Sequence, residues 1–239
     1  MLSDRAPGTP TTLGQLAYIQ REDPFHVLIA TILSHRTRDE RTDQASRQLF
    51  ALYDSPEALA GAPLGEVERL IRPVGFYRVK ARRIREVARI LLARFGGEVP
   101  QTYETLVSLP AVGPKTANCV LVYGFGRPAI PVDTHVHRIS NRLGLVTTDS
   151  PEATEAALRR RVPRRYWLAL NELFVRFGQR ICKPLQPDCP ACALRPVCRY
   201  YREVVSKEGA RLPKESTRVR RPGVLAHSAR ARTRLAARR

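Results

Sequence analysis

Apolar residues recur along this chain at helical spacing, and nowhere is there a sustained two-residue alternation of the kind a half-buried strand requires. A first helix is expected over 12–20. Asp23 is placed to cap a second, with Pro24 at its first position, where a missing N–H costs nothing. Phe25, Leu28, Ile29, Ile32 and Leu33 then fall on one face, and Val27 and Ala30 make the helix apolar nearly all round. Such a helix belongs at the centre of a core. Ser34-His35-Arg36-Thr37-Arg38-Asp39 ends it in polar residues; a further helix runs to about Leu52, and short pieces follow Ser55 and Pro63.

Gly75-Phe76-Tyr77 breaks the pattern again before a strongly basic helix. On it Ile84, Val87 and Leu91 face inward, and Arg78, Lys80, Arg82, Arg83, Arg85 and Arg89 are expected to cover the other faces. Later, Ser150-Pro151-Glu152 opens a short helix. Pro163 opens another, in which Trp167, Leu170, Leu173 and Phe177 form an apolar stripe that Gly178 should end. Trp167 reads as core. The fold expected is all-α with short connections.

Charge adds a partner to this picture. Lys and Arg total 41 against 22 Asp and Glu, a net +19, and that excess points to a polyanion, nucleic acid before an anionic membrane. From 206 onward Arg, Ala, Ser and Pro dominate; this tail carries +9, has few apolar residues and is expected to be disordered, while the first 205 residues carry +10 of their own. No apolar run reaches membrane length and the N-terminus lacks the apolar core of a signal peptide. A cytoplasmic, nucleoid-associated location is expected, or a nuclear one in a eukaryote. In a reducing compartment, five cysteines are metal ligands or buried thiols before they are disulfides.

Candidate chemistry begins at Leu109-Pro110-Ala111-Val112-Gly113-Pro114-Lys115-Thr116-Ala117. Gly113 gives the backbone freedom to turn and Pro114 suits a first helical position, so the stretch reads as a tight turn opening a helix. Free N–H groups and the positive helix end then converge on one point, an anion site. A lysine in that first turn is electrostatically disfavoured as a cation, so the Lys115 amine is expected to release its proton more readily than a surface lysine. The plainer reading is a helix-hairpin-helix that only grips a DNA backbone. Eighteen residues on, Val132-Asp133-Thr134-His135-Val136-His137-Arg138 offers Asp133, a good N-cap and equally a candidate catalytic carboxylate.

Cys182, Cys189, Cys192 and Cys198 form C-x6-C-x2-C-x5-C. Four thiolates that close together can surround zinc or an iron–sulfur cluster, and the single CxxC flanked by wider gaps leans toward the cluster without deciding it. Cys119 stands apart and reads as a buried core residue.

In this order, the hairpin, the Asp133 segment and the four cysteines resemble the endonuclease III family of DNA glycosylases over roughly 12–203. The resemblance implies two all-α lobes with DNA along the groove between them: a six-helix lobe over 23–127, and a second made of 1–22 with 128–205. It implies Lys115 as nucleophile, Asp133 as the essential carboxylate and a [4Fe–4S] cluster on the four cysteines. The substrate implied is double-stranded DNA with a damaged base or an abasic site, bound by a monomer through Gly113, Ala111, Arg36, Phe76, Arg78 and Lys80. The activity implied is excision of oxidised pyrimidines through a lysine Schiff base, followed by β-elimination. A non-catalytic DNA-binding module and a mismatch-directed glycosylase are the alternatives.

Three positions depart from the family pattern. Ala111 stands where the hairpin usually has Gly, at a cost of about 1 kcal/mol if positive φ is needed there. Arg36 replaces a Gln that in many bacterial members fills the gap left by the flipped base, and Phe76 replaces a Leu wedge. Both changes bear on the preferred lesion or opposite base.

Overall fold

The computed structural model describes residues 23–205, and every regular element among them is helical. The expected helix over 12–20 and the basic tail lie outside the described residues. Helix α1 (Pro24–Ser34) is the axis of the first core: Val27 to Leu33 are buried without interruption. Asp23 caps it as expected, its Oδ1 accepting from the N–H groups of Phe25 (2.9 Å) and His26 (3.1 Å). Around α1 lie α2 (Asp39–Phe50), α5 (Tyr77–Phe95), α7 (Pro114–Cys119) and the π-helical turn Val120–Gly124 that continues α7; α3 (Pro56–Gly61) and α4 (Leu64–Leu70) pack on α5 and α2, and α6 (Tyr103–Val107) on α7. Gly124 is where this packing is tightest. A Cβ there would lie 3.0 Å from the Cα of Pro24, so only glycine lets the π turn lie against the start of α1.

The first core runs from Phe25 to Ala129. A second, smaller one begins at Ile130 and gathers Val132, Val136, Val146, Leu158 and Leu170, with Trp167 and Phe174 packed against it. It is built from α8 (Thr134–Leu143), α9 (Pro151–Arg161) and α10 (Trp167–Arg180). Side chains with large apolar area, each stabilising by about 1.5–3 kcal/mol when fully buried, hold each core. Polar groups brace the two together. Tyr123 donates its hydroxyl to Asn171 Oδ1 at 2.7 Å, and Asn171 Nδ2 donates to the Pro131 carbonyl at 2.9 Å. Asn171 is buried, so losing either partner would leave an expensive unpaired amide.

Four sequence expectations need correction. Lys80 does not face solvent with its basic neighbours; it is 7% exposed, and its ammonium is bonded inside the fold. The face of α5 is also less uniformly positive than expected, because Arg83 pairs with Glu86 at 2.8 Å. Gly178 does not end α10, which continues to Arg180. Its role is room, since any Cβ at 178 would collide with the His135 ring and the Arg138 guanidinium. Trp167 is core on its indole face and donates Nε1–H to the Val162 carbonyl at 2.8 Å, but Leu173 of the expected stripe is 58% exposed.

Candidate active site

The hairpin forms as the sequence requires. After α6 the chain turns through Leu109–Gly113, closed by a hydrogen bond from the Val112 N–H to the Leu109 carbonyl at 3.2 Å. Helix α7 then starts at Pro114 with Gly113 as N-cap and no capping side chain, so its first N–H groups are left for a ligand. Ala111 sits at φ 63°, the left-handed conformation that favours glycine. Arg36 (φ 51°) and Phe76 (φ 57°) are left-handed too. A non-glycine residue held there costs on the order of 1 kcal/mol, and such strain gathers at sites where the backbone must meet a ligand. Ala111→Gly should therefore raise stability by up to about 1 kcal/mol in a denaturant titration, offset in part by the freer unfolded chain. An unchanged or lowered midpoint would mean that the hairpin carries no strain there.

Lys115 is in the first turn of α7, half-buried at the cleft between the two cores. In the second core, at the start of α8, Asp133 is the N-cap and its Oδ1 accepts from the Val136 N–H at 2.8 Å. That bond occupies one carboxylate oxygen, Oδ1. The charges of Lys115 and Asp133 both reach the buried Cys119 thiol, whose pKa burial pushes up to about 11. Cys119 is thus an inert core residue, as its sequence position suggested.

Other polar groups gather around this turn, and no local pattern assigns them a role. Asp39, the first residue of α2, has its carboxyl pushed up by burial, against the pull of a hydrogen bond from Gln179 Nε2 (3.0 Å) and the charges of Lys115 and His135. The Gln179–Asp39 bond crosses from α10 to α2 and ties the far lip of the cleft together. His135 is held down in pKa by burial and lies within 3.1 Å of an Arg138 nitrogen. His35 lies 2.9 Å from the Thr116 hydroxyl, and burial, then the Lys115 and Lys80 charges, lower its pKa to about 4. At neutral pH it is an uncharged strut between the end of α1 and the lysine-bearing turn. His135 stands in the segment that carries Asp133, held by Arg138 and by the room that Gly178 leaves for its ring.

The predicted DNA-facing residues divide. Arg36, Phe76, Arg78 and Ala111 are exposed and Gly113 is half-buried, all at loop tips or helix starts. Phe76 is 64% exposed, an unusual setting for a large apolar ring in a charged protein. Lys80 is excluded from that surface.

Cys182, Cys189, Cys192 and Cys198 line a single cavity with Leu143, Phe177, Ile181 and Tyr200. Burial and the nearby charges of the other three thiols push the Cys189 pKa up, a repulsion that a bound cationic centre would relieve. Among the described residues no three or more His, Cys, Asp or Glu groups converge tightly enough for one metal ion. Four thiols lining one cavity are a donor set that an iron–sulfur cluster can take. Helix α8 holds this loop: Arg138 donates to the Cys182 carbonyl at 2.8 Å, and Arg142 to the carbonyls of Lys183 (2.7 Å) and Pro184 (2.8 Å) and to the Cys182 sulfur (3.5 Å).

Comparison with known proteins gives this arrangement relatives. Residues 29–164 match the model of the HhH-GPD superfamily base excision DNA repair proteins. The chain is 53% identical over 180 residues to the endonuclease III of Thermotoga maritima, covering 75% of this chain and 84% of that protein. With the endonuclease III of Bacillus subtilis the identity is 39% over 178 residues, 74% of this chain and 81% of the relative. Among solved structures, a trapped covalent endonuclease III–DNA intermediate superposes with a TM-score of 0.73 at 36% identity, covering 84% of this chain and 96% of the other.

Proposed function

The chain belongs to the HhH-GPD superfamily of base excision DNA repair proteins and to the endonuclease III family within it, and from that membership we infer how its own residues carry out base excision. It is a DNA glycosylase and abasic-site lyase acting on double-stranded DNA. The observation that supports the residue assignment is Lys115 in the first, uncapped turn of α7, with its charge and that of Asp133 acting on the same buried thiol, Cys119.

The sugar carbon of a damaged nucleotide is inaccessible in the stack, so the nucleotide must first leave the duplex. Phe76 and Arg36, exposed on strained tips, are suited to fill the space it vacates. The N–H groups at Gly113 and the start of α7 hold a flanking phosphate. Asp133 Oδ2 accepts a proton from the Lys115 ammonium. The amine's lone pair then attacks C1′; the bond from C1′ to the base breaks, and the base leaves with that electron pair and takes up a proton. Ring opening gives an imine between Lys115 and C1′. Loss of a proton from C2′ sends its electrons toward C3′ and expels the 3′ phosphate, which nicks the strand. Asp133 also stabilises the positive charge that develops on the sugar while the base departs.

The oxidised pyrimidine is the substrate class we propose for the pocket. Cys182, Cys189, Cys192 and Cys198 would hold a [4Fe–4S] cluster, which would supply iron–sulfur bonds that cross-link the 182–198 loop to itself. We also propose the division into lobes at 23–127 and 128–205, with 1–22 joining the second. The protein as it stands, incubated with a duplex containing thymine glycol and borohydride, should yield a covalent protein–DNA adduct, and without borohydride a nicked strand. Tight binding of the damaged duplex with neither product would leave only a DNA clamp.

A further inference from the structure

Lys80 is buried, and nothing in the excision chemistry uses it, yet it is the most fully engaged amine among the described residues. Its ammonium donates to the Leu33 carbonyl (2.7 Å), the His35 carbonyl (2.6 Å) and Thr37 Oγ1 (3.1 Å). An ammonium has three N–H donors, and here all three are placed. The Leu33 carbonyl is among the last of α1, where a helix leaves its acceptors open and a cation is favoured.

The same residue anchors the other loop. The backbone N–H of Lys80 donates to the Phe76 carbonyl at 3.1 Å, closing the first turn of α5 onto the residue at its strained N-cap. Thr37 completes the link: its hydroxyl donates to the His35 carbonyl (3.2 Å) and accepts from the Gly75 N–H (3.1 Å) as well as from Lys80. Gly75 makes the close approach possible, because a Cβ there would lie 3.0 Å from the Arg36 carbonyl oxygen. The two loops are thus pinned together through the Lys80 and Thr37 side chains. At their tips stand Arg36 and Phe76, both exposed and both left-handed.

We propose that Lys80 is a positioning residue for nucleotide extrusion, its ammonium fixing the spacing between the Arg36 and Phe76 tips so that both enter the duplex together. The proposal rests on the reading that these two tips replace the extruded nucleotide. Burial lowers the Lys80 pKa to about 8, so near neutral pH the amine keeps the third proton that this geometry needs. Opening a stacked pair demands that the fillers arrive at a set distance, and misplacement of about 1 Å in such a step costs up to roughly a hundredfold in rate. A pre-formed abasic site needs far less unstacking. The signature of Lys80 is therefore a split between two substrates.

The test uses the full chain with Lys80→Met, which keeps length and apolar contact but donates nothing, and Thr37→Val with Thr37→Ser as its conservative partner. Single-turnover excision of thymine glycol should fall roughly tenfold or more in Lys80→Met, while nicking of the same duplex with a pre-formed abasic site changes less than about twofold. Thr37→Val should show a smaller split in the same direction, and Thr37→Ser should restore parental behaviour. A 2-aminopurine placed beside the lesion should brighten on binding the parent and less on binding Lys80→Met. Should Lys80→Met fail to fold, the contrast between Thr37→Val and Thr37→Ser decides. Equal losses on both substrates would reduce the staple to general stability and overturn the proposal, as would no loss on either. Phe76→Ala and Arg36→Gln, measured alongside, separate the two readings. If they match the parent on both substrates, the tips do not enter the duplex; if they lose excision while the staple variants do not, the staple alone is refuted.

Discussion

Lys115→Gln should bind a damaged duplex as the parent does, form no borohydride-trapped adduct, and lose excision and nicking by at least about a thousandfold. The geometry limits the damage to chemistry. Lys115 is half-buried in the cleft at a helix start that depends on Gly113 and Pro114 for its shape, and the glutamine side chain retains length and polarity. The uncapped N–H groups at the start of α7 belong to the backbone and survive. Asp133→Asn should likewise bind DNA, because an amide oxygen can still accept from the Val136 N–H and preserve the cap of α8. It cannot take the Lys115 proton, so excision should fall by about 10²–10⁴ with little change in melting temperature. The pair of results separates nucleophile from clamp: a clamp predicts that Lys115→Gln costs one phosphate contact of affinity and that the parent never traps. Trapping that persists in Lys115→Gln would move the nucleophile elsewhere.

The elements of this fold announce themselves where one physical rule acts alone. Asp23-Pro24 ahead of an all-round apolar run could only begin a buried helix, and α1 is one. Gly113-Pro114 could only open α7. Residues were misplaced where two rules compete. Lys80 sits in a run of basic residues whose default is solvent, but the orphan carbonyls at the end of α1 need a donor, and a four-carbon stem reaches them from α5. Gly178 reads locally as a helix stop; its use is clearance for His135, a contact across 43 positions that no local pattern contains. Asp39 and Gln179 are 140 residues apart and meet only because α2 and α10 line the same cleft. The helix starts that carry Lys115 and Asp133 are legible because Gly113-Pro114 and an N-cap Asp mark special backbone positions. The residues that shape the cleft around them depend on tertiary packing, and for that reason they are not.

The cysteine loop should bind iron, and removing one thiol should be felt at the other end of α8. Purified protein should be yellow-brown with broad visible absorption, and Cys189→Ser or Cys192→Ser should lose iron and colour. The loop has little apolar substance of its own: Leu185 is 85% exposed and Val197 64%. What fastens it in this structure is Arg138 and Arg142 of α8, reaching the carbonyls of Cys182, Lys183 and Pro184. Losing the cluster should therefore destabilise by several kcal/mol, roughly 10 °C for a chain of this size. Arg138 also lies beside His135, two residues from Asp133, so loosening the loop should reduce excision through the mouth of the cleft. Cys119→Ala is the control, since its thiol is buried beside the lysine turn, away from the loop; iron content should be unchanged. Colourless parent protein carrying one zinc would overturn the cluster assignment.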